Sequence, residues 1–118
     1  NRTIQELVSF LKIYKPGELD IFTINGSIAG AFGISQFIPS SFHIFAVDGN
    51  NDGEINLFSD ADAIMSVANY LKRHGWDDKY KNKRRAVYAY NHSNAYVNAV
   101  LVYTQAIKTF IKNTRLNN

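Results

Sequence analysis

Apolar residues near the start of the chain fall at helical spacing. Ile4, Leu7, Val8 and Leu11 recur on one face, Thr3 and Glu6 form a capping box in front of them, and Pro16-Gly17 ends the pattern. From Glu18 to Ser41 no period is sustained, and Gly26, Gly30, Gly33 and Pro39 punctuate the stretch, which reads as loops with short helical turns. An irregular segment of this length inside a small domain is more often functional than decorative. Ser59 is placed to cap a second long helix with Ile64, Val67, Ala68 and Leu71 on one face, and Gly75 to stop it after His74. A basic linker follows. Arg84 to Asn91 predicts a short helix, and Ser93 caps a last one carrying Val97, Val100, Leu101, Thr104, Ile107 and Ile111. No run of alternating strand positions and no internal repeat occurs, so the predicted class is all-α.

The 118 residues, 46% of them apolar and 14% aromatic, are enough for one core, and a single domain over 1–118 is expected. No segment reaches the roughly 18 apolar residues of a membrane span, and the opening residues do not read as a signal peptide. Cysteine is absent, which excludes disulfides, thiolate nucleophiles and Cys-type zinc sites. His43, His74 and His92 lack ligand spacing and are read as structural. The net charge of +3 owes much to Lys79, Lys81, Lys83, Arg84 and Arg85. A solvated loop is the plain reading of that cluster, and contact with a polyanion the sharper one.

Asp48-Gly49-Asn50-Asn51-Asp52-Gly53-Glu54-Ile55 follows the front of an EF-hand loop, with oxygen side chains at the first, third and fifth places and then the turn glycine. Glu54 supplies a backbone carbonyl at the seventh place and Ile55 the apolar anchor. Ser59 stands where the bidentate glutamate belongs. A loop lengthened to fifteen residues brings Asp62 round instead, so Asp48, Asn50, Asp52, Glu54 and Asp62 are the expected ligands of one structural Ca²⁺. The same residues are also the commonest turn formers, and an ion-free turn is the competing reading.

Three further segments, with this loop, resemble the lytic transglycosylases, most closely the membrane-bound lytic transglycosylase B family. Ser27-Ile28-Ala29-Gly30-Ala31-Phe32-Gly33-Ile34-Ser35-Gln36-Phe37-Ile38-Pro39-Ser40-Ser41 is similar to that family's glycine-rich block. Asp62-Ala63-Ile64, Ser66 to Tyr70 and His74-Gly75-Trp76 continue the likeness, and Ala89-Tyr90-Asn91-His92-Ser93 resembles its Tyr-Asn signature near the end of the catalytic domain. The stretch between Trp76 and Arg84 is shorter than is usual there.

The resemblance implies a lysozyme-like fold and the C-terminal portion of a catalytic domain. It also implies non-hydrolytic cleavage of the β-1,4 bond between N-acetylmuramic acid and N-acetylglucosamine, leaving 1,6-anhydromuramic ends. One glutamate serves as acid and base while the muramic acetamido group assists, unlike the two-carboxylate scheme. By the same resemblance Ser27 and Asn91 hold the acetamido group, Gln36 contacts substrate, and Tyr70 and Tyr90 line the cleft. The partner implied is peptidoglycan in the bacterial envelope, periplasmic or outer-membrane associated; no nucleic acid and no membrane contact by this segment are expected.

The family's catalytic glutamate, in a Glu-Thr or Glu-Ser segment upstream of the Ser27 block, has no counterpart here. Glu6 belongs to the capping box, Glu18 is too close to Ser27, and Glu54 lies in the metal loop. No catalytic residue is therefore assigned, and the acid is expected upstream. A non-catalytic peptidoglycan-binding module is the alternative. A calcium sensor is the weakest, because one loop and the single methionine, Met65, do not make a Met-rich groove.

Overall fold

The computed structural model describes residues 1–13 and 23–116. Five helices follow one another: α1 (Arg2–Ile13), α2 (Pro39–Phe45), α3 (Asp60–Arg73), α4 (Tyr80–Tyr90) and α5 (Asn94–Leu116). Among the described residues the only β pairing is two isolated antiparallel bridges, Gly26 with Phe32 and Phe32 with Phe37. The expected all-α class holds. Pro16-Gly17 and Glu18 lie outside the described residues.

The chain forms two compact units, Asn1–Tyr70 and Leu71–Asn118. In the first, α1 packs on α2. The capping box expected at Thr3 and Glu6 does not form, because the helix starts two residues earlier, at Arg2. Asn1 Oδ1 accepts the Thr3 N–H at 3.1 Å, and Thr3 lies inside the first turn. Glu6 is used elsewhere. Its carboxylate accepts the Ser40 N–H at 2.9 Å and the Ser40 hydroxyl at 2.7 Å, capping α2 from a different helix. Pro39 at the first position of α2 gives up no needed donor. His43 Nε2 lies 2.9 Å from the Ser9 carbonyl, a second tie between α1 and α2 and a structural role for that histidine.

The core of this unit is aromatic. Phe10, Phe32 and Phe42 stack in sequence with ring centroids 6.1 and 5.9 Å apart. A second group joins Phe37, Phe45 and Tyr70, the last two 4.6 Å apart. Apart from Phe10, the apolar face of α1 does not enter this core: Ile4, Leu7 and Leu11 are each more than half exposed, and no residue of α1 is fully buried.

The buried side of α3 also differs from the one its apolar periodicity suggests. Ile64 is 66% exposed, whereas Asp62, Ala63 and Ser66 are buried. Ser66 Oγ accepts the Val47 N–H at 3.0 Å, and Asn69 Nδ2 donates to the Phe45 carbonyl at 2.9 Å. Polar groups therefore bind the incoming chain to α3, and a hydrophobicity pattern does not register them.

In the second unit the end of α3 is a Schellman arrangement, with Gly75 at φ +85°. Gly75 N–H reaches the Lys72 carbonyl at 3.0 Å and Trp76 N–H the Leu71 carbonyl at 3.0 Å. Helix α4 starts at Tyr80, inside the stretch expected to be a basic linker. Asp77 stands just ahead of it. Its carboxylate accepts from Asn82 Nδ2 at 2.8 Å and from the Lys79 N–H at 2.8 Å, and these bonds hold its pKa below the ordinary carboxylate range. Helix α4 packs on α5, which Ser93 caps as expected, its Oγ accepting the Tyr96 N–H at 3.2 Å.

Two glycine substitutions separate strain from crowding. A Cβ on Gly33, at φ +70°, would lie 2.7 Å from Leu57 Cβ and 2.8 Å from its carbonyl oxygen, whereas one on Gly30, at φ +78°, would meet nothing within 4 Å. Gly30→Ala should cost about 1 kcal/mol, from the left-handed backbone alone. Gly33→Ala should cost at least about 2 kcal/mol and lower Tm correspondingly more, because the strain is joined by a clash with backbone. Thermal melts of the two variants side by side check this order.

Candidate functional site

Ser27 opens a tight loop. Its N–H donates to the Ala31 carbonyl at 2.9 Å, its Oγ accepts the Ala31 N–H at 3.1 Å, and its carbonyl accepts the Gly30 N–H at 2.8 Å. The side chain stays exposed at the loop's edge, with Gly30 facing open space beside it. Backbone there can be approached closely. Gly33 has the opposite surroundings, since Leu57 occupies the room a side chain would need. Gly33 thus seats this loop on the next.

Gln36 holds φ +50°, a left-handed conformation rare for a residue with a side chain. Two bonds to one acceptor sustain it: its N–H and its Nε2 both donate to the Gly33 carbonyl, at 3.1 and 2.9 Å. Gln36 is exposed, while Phe37 beside it is buried against Tyr70 at a centroid distance of 5.8 Å. Half-buried Tyr70 has its hydroxyl pKa pushed up by that burial. Within the first unit, Tyr70 is thus packed against the Gln36-Phe37 segment, and the bridge pairing Phe32 with Phe37 links that segment to the Ser27 loop.

Tyr90 and Asn91 belong to the second unit. Tyr90 is the last residue of α4 and half-buried; Asn91 caps that helix, its N–H donating to the Val87 carbonyl at 3.0 Å, and its side chain is exposed. Asn91 is not a core residue.

The loop from Asp48 is closed by its own acidic side chains. Asp48 Oδ1 accepts the Asn51 N–H at 2.6 Å and its Oδ2 the Gly53 N–H at 2.8 Å. Asn50 Oδ1 takes the Asp52 N–H at 3.0 Å, and Asp52 Oδ1 the Glu54 N–H at 2.9 Å. Asn51 at φ +61° and Gly53 at φ +91° turn the chain, and Gly49 must lack a side chain because the Ala61 carbonyl stands against it. Asp62 is buried, and its two oxygens span the loop, accepting Gly49 N–H at 2.8 Å and Asn56 N–H at 2.7 Å. Those backbone donors, Asn56 first, hold its carboxyl below the ordinary range against the opposing effect of burial. Each of these carboxylates keeps lone pairs beyond the N–H groups it accepts, as an oxygen-seeking cation requires. Among the described residues no group of three or more His, Cys, Asp or Glu side chains is gathered as a metal site. Any cation here would depend on Asn50 and a main-chain carbonyl as well.

Residues 3–86 match the transglycosylase SLT domain family. The chain belongs to that family. It is 51% identical over 71 residues to membrane-bound lytic murein transglycosylase B of Escherichia coli (strain K12), a match covering 60% of this chain and 20% of that protein's length. The lytic transglycosylase SLT35 of Escherichia coli, solved in complex with calcium, is 49% identical and superposes with a TM-score of 0.57, covering 62% of this chain and 23% of the other. Soluble lytic transglycosylase SltB1 from Pseudomonas aeruginosa gives 50% identity and a TM-score of 0.55, over 62% of this chain and 25% of that one. The likeness is to lytic transglycosylases with a lysozyme-like helical fold, and this chain spans about a quarter or less of each.

Glu6 is the residue that sequence reasoning misplaced. The signal available was Ser40 following Pro39, a helix start whose exposed N–H groups need an acceptor. Which acidic side chain would supply it is a tertiary matter.

Asp62 makes stability depend on acid. A carboxyl whose folded pKa lies below its unfolded value, about 3.9, contributes stability above that value, and the contribution is lost as pH falls through the folded one. Tm should therefore drop steeply below about pH 4. Asp62→Asn should lower Tm by several degrees at neutral pH and flatten the acid limb, because an amide nitrogen would replace one of the two acceptors. Melts from pH 2 to 7 on both proteins, read by circular dichroism, test this.

Proposed function

We propose that this chain is the glycan-holding, C-terminal portion of a lytic murein transglycosylase catalytic domain, and that both compact units belong to that one domain. The observation that carries the reading is the Ser27 to Ser41 block. There an exposed serine, open backbone at Gly30 and a strained, doubly bonded Gln36 stand together in a family of transglycosylases. Ser27, Gln36 and Tyr70 in the first unit are proposed glycan contacts, and Tyr90 and Asn91 in the second unit are proposed glycan contacts of their own. Ser27 is proposed to orient the muramic acetamido group, so that its oxygen assists departure of the leaving sugar and the 6-hydroxyl closes on C1. Neutral hydrogen-bonding groups suit that task.

Protonation of the leaving oxygen requires a carboxylic acid within hydrogen-bond reach, typically worth about 10²–10⁴-fold. Glu6 is engaged with Ser40 and Glu54 lies on the metal loop, so the acid is assigned to a segment outside these residues. We place the protein in the bacterial envelope, acting on peptidoglycan. No helix among the described residues is long and apolar enough to cross a membrane.

A calcium ion is proposed on Asp48, Asn50, Asp52, the Glu54 carbonyl and Asp62. The supporting points are the chemistry of that oxygen set and the calcium complex of SLT35. Its contribution would be to fix the loop rather than to react. Millimolar calcium should raise Tm, and Asp48→Asn or Asp52→Asn should abolish the rise while magnesium gives less; equal melts with and without calcium would leave a simple turn.

The chain alone should sediment with purified sacculi, with affinity reduced about tenfold by Ser27→Ala or Asn91→Ala, the scale of one lost hydrogen bond in a dry site. It should release no 1,6-anhydromuropeptides detectable by mass spectrometry. Such products from the pure chain would overturn the assignment of the acid, and failure to bind sacculi the glycan-holding role.

A further inference from the structure

Five cationic residues and the single tryptophan of the chain lie close together in sequence, and the site above uses none of them. They do not form one undivided basic patch. Arg84 is held by Asn98 Oδ1 at 2.6 Å and lies 5.8 Å from the ring centre of Tyr80. The Lys83 ammonium lies over the Trp76 indole, 5.8 Å from its centre. Between α4 and α5, wholly inside the second unit, Trp76, Tyr80 and Lys83 face Gln105 and Lys108 across a cavity of about 290 Å³. Leu101 and Val102 supply apolar wall, and Asp78 stands at its lining. Gln105 and Lys108 lie beyond the residues that match the family, so half of this cavity is outside the matched segment.

The chemistry of the lining selects its ligand. Aromatic and aliphatic walls suit the apolar face of a pyranose ring, which presents C–H groups to them. Lys83, Lys108 and Gln105 are donors, and two ammonium groups against the single lining carboxylate of Asp78 leave the cavity net positive, which favours a carboxylate. Asp78 is an acceptor for a hydroxyl. The volume lies at the small end for ligand pockets and holds one ring rather than a strand. We propose that this cavity is a second glycan site, one that takes a single amino sugar carrying a carboxylate, with the ring against Trp76 and Tyr80 and the carboxylate between Lys83 and Lys108. The choice of sugar rests on the peptidoglycan reading given above. Muramic acid carries such a carboxylate on its lactyl group, free where no peptide is attached and converted to an amide where a stem is present. The site would hold a stretch of stripped strand while cleavage proceeds elsewhere.

Because Trp76 is the only tryptophan, its indole N–H signal and its fluorescence report on this cavity alone. N-acetylmuramic acid added to the full chain should shift that signal saturably. N-acetylglucosamine, with the same ring and no carboxylate, should bind about tenfold more weakly. Lys83→Gln combined with Lys108→Gln should erase the difference, and Tyr80→Ala should weaken both sugars, while an unchanged backbone amide spectrum shows that the fold is kept. Muramyl dipeptide separates the two sources of carboxylate: weak binding assigns the site to stripped strands, and binding as tight as the free sugar assigns it to stem peptides and overturns the lactyl assignment. Equal shifts from both sugars would remove the anionic specificity, and an equal shift from inorganic phosphate the sugar specificity. A silent Trp76 in a chain that still sediments with sacculi would overturn this site and leave the main reading intact; a saturable Trp76 response without sacculus binding would do the reverse.

Discussion

Asp62 is the constraint on which the first unit depends. One buried carboxylate accepts from Gly49 at the start of the acidic loop and from Asn56 at its end, and thereby ties both ends of the loop to α3. The loop can follow this path only because Gly49 has no side chain, since the Ala61 carbonyl stands against it. Next along the chain, Leu57 is almost fully buried; its carbonyl accepts the Ile34 N–H at 2.8 Å, and its side chain fills the place a Cβ on Gly33 would take. Gly33 in turn supplies the carbonyl that both donors of Gln36 require. A chain of contacts thus runs from a carboxylate on α3 to the backbone of the proposed glycan block. Each link in it is a hydrogen bond or a van der Waals limit rather than general hydrophobic packing.

This order explains which parts of the fold were readable from the sequence. Ser93 and Gly75 act through their own backbone neighbours, a capping hydroxyl in one case and a left-handed turn in the other, so local chemistry was sufficient for both. Asp48 to Gly53 were legible for the same reason, as nearly all of their bonds fall within five residues. Glu6 was misread because the residue it caps is 34 positions away, and a local rule assigned it to its own helix. The start of α4 was missed because lysines do not announce a helix, and its N-cap, Lys79, makes no side-chain capping bond.

Helix α3 shows a different kind of failure. Apolar periodicity marks the side chains that water rejects, and it placed Ile64 inside, yet the buried stripe is Asp62, Ala63 and Ser66. Polar residues are buried when the gain from satisfying fixed backbone groups exceeds their cost of dehydration. Val47, Gly49 and Asn56 offer three such N–H groups, and Ser66 and Asp62 meet them. A helix that organises loops buries a polar stripe, whereas one that fills a core buries an apolar stripe. The residues of the glycan block were legible because they resemble a known motif. Their surroundings were not, because Gly33 and Phe37 pack against Leu57 and Tyr70, which are distant in the chain.

Joining the Asp48 loop to the Ser27 to Ser41 block through Leu57 has a physical consequence. Gln36 is held in a conformation that costs on the order of 1–3 kcal/mol for a residue with a side chain. It persists only while Gly33 stays seated on Leu57 and Phe37 stays packed against Tyr70. Leu57 is positioned by the loop that Asp62 closes, so anything that loosens the loop also loosens the strained residue. The carboxylates of Asp48 and Asp52 hold the loop closed through the backbone N–H groups they accept. A cation bound at the proposed site would extend that order along the same contacts. Under the proposed function, the loop would stiffen the Ser27 to Ser41 block from behind, and the cost of ordering Gln36 would be met before substrate arrives.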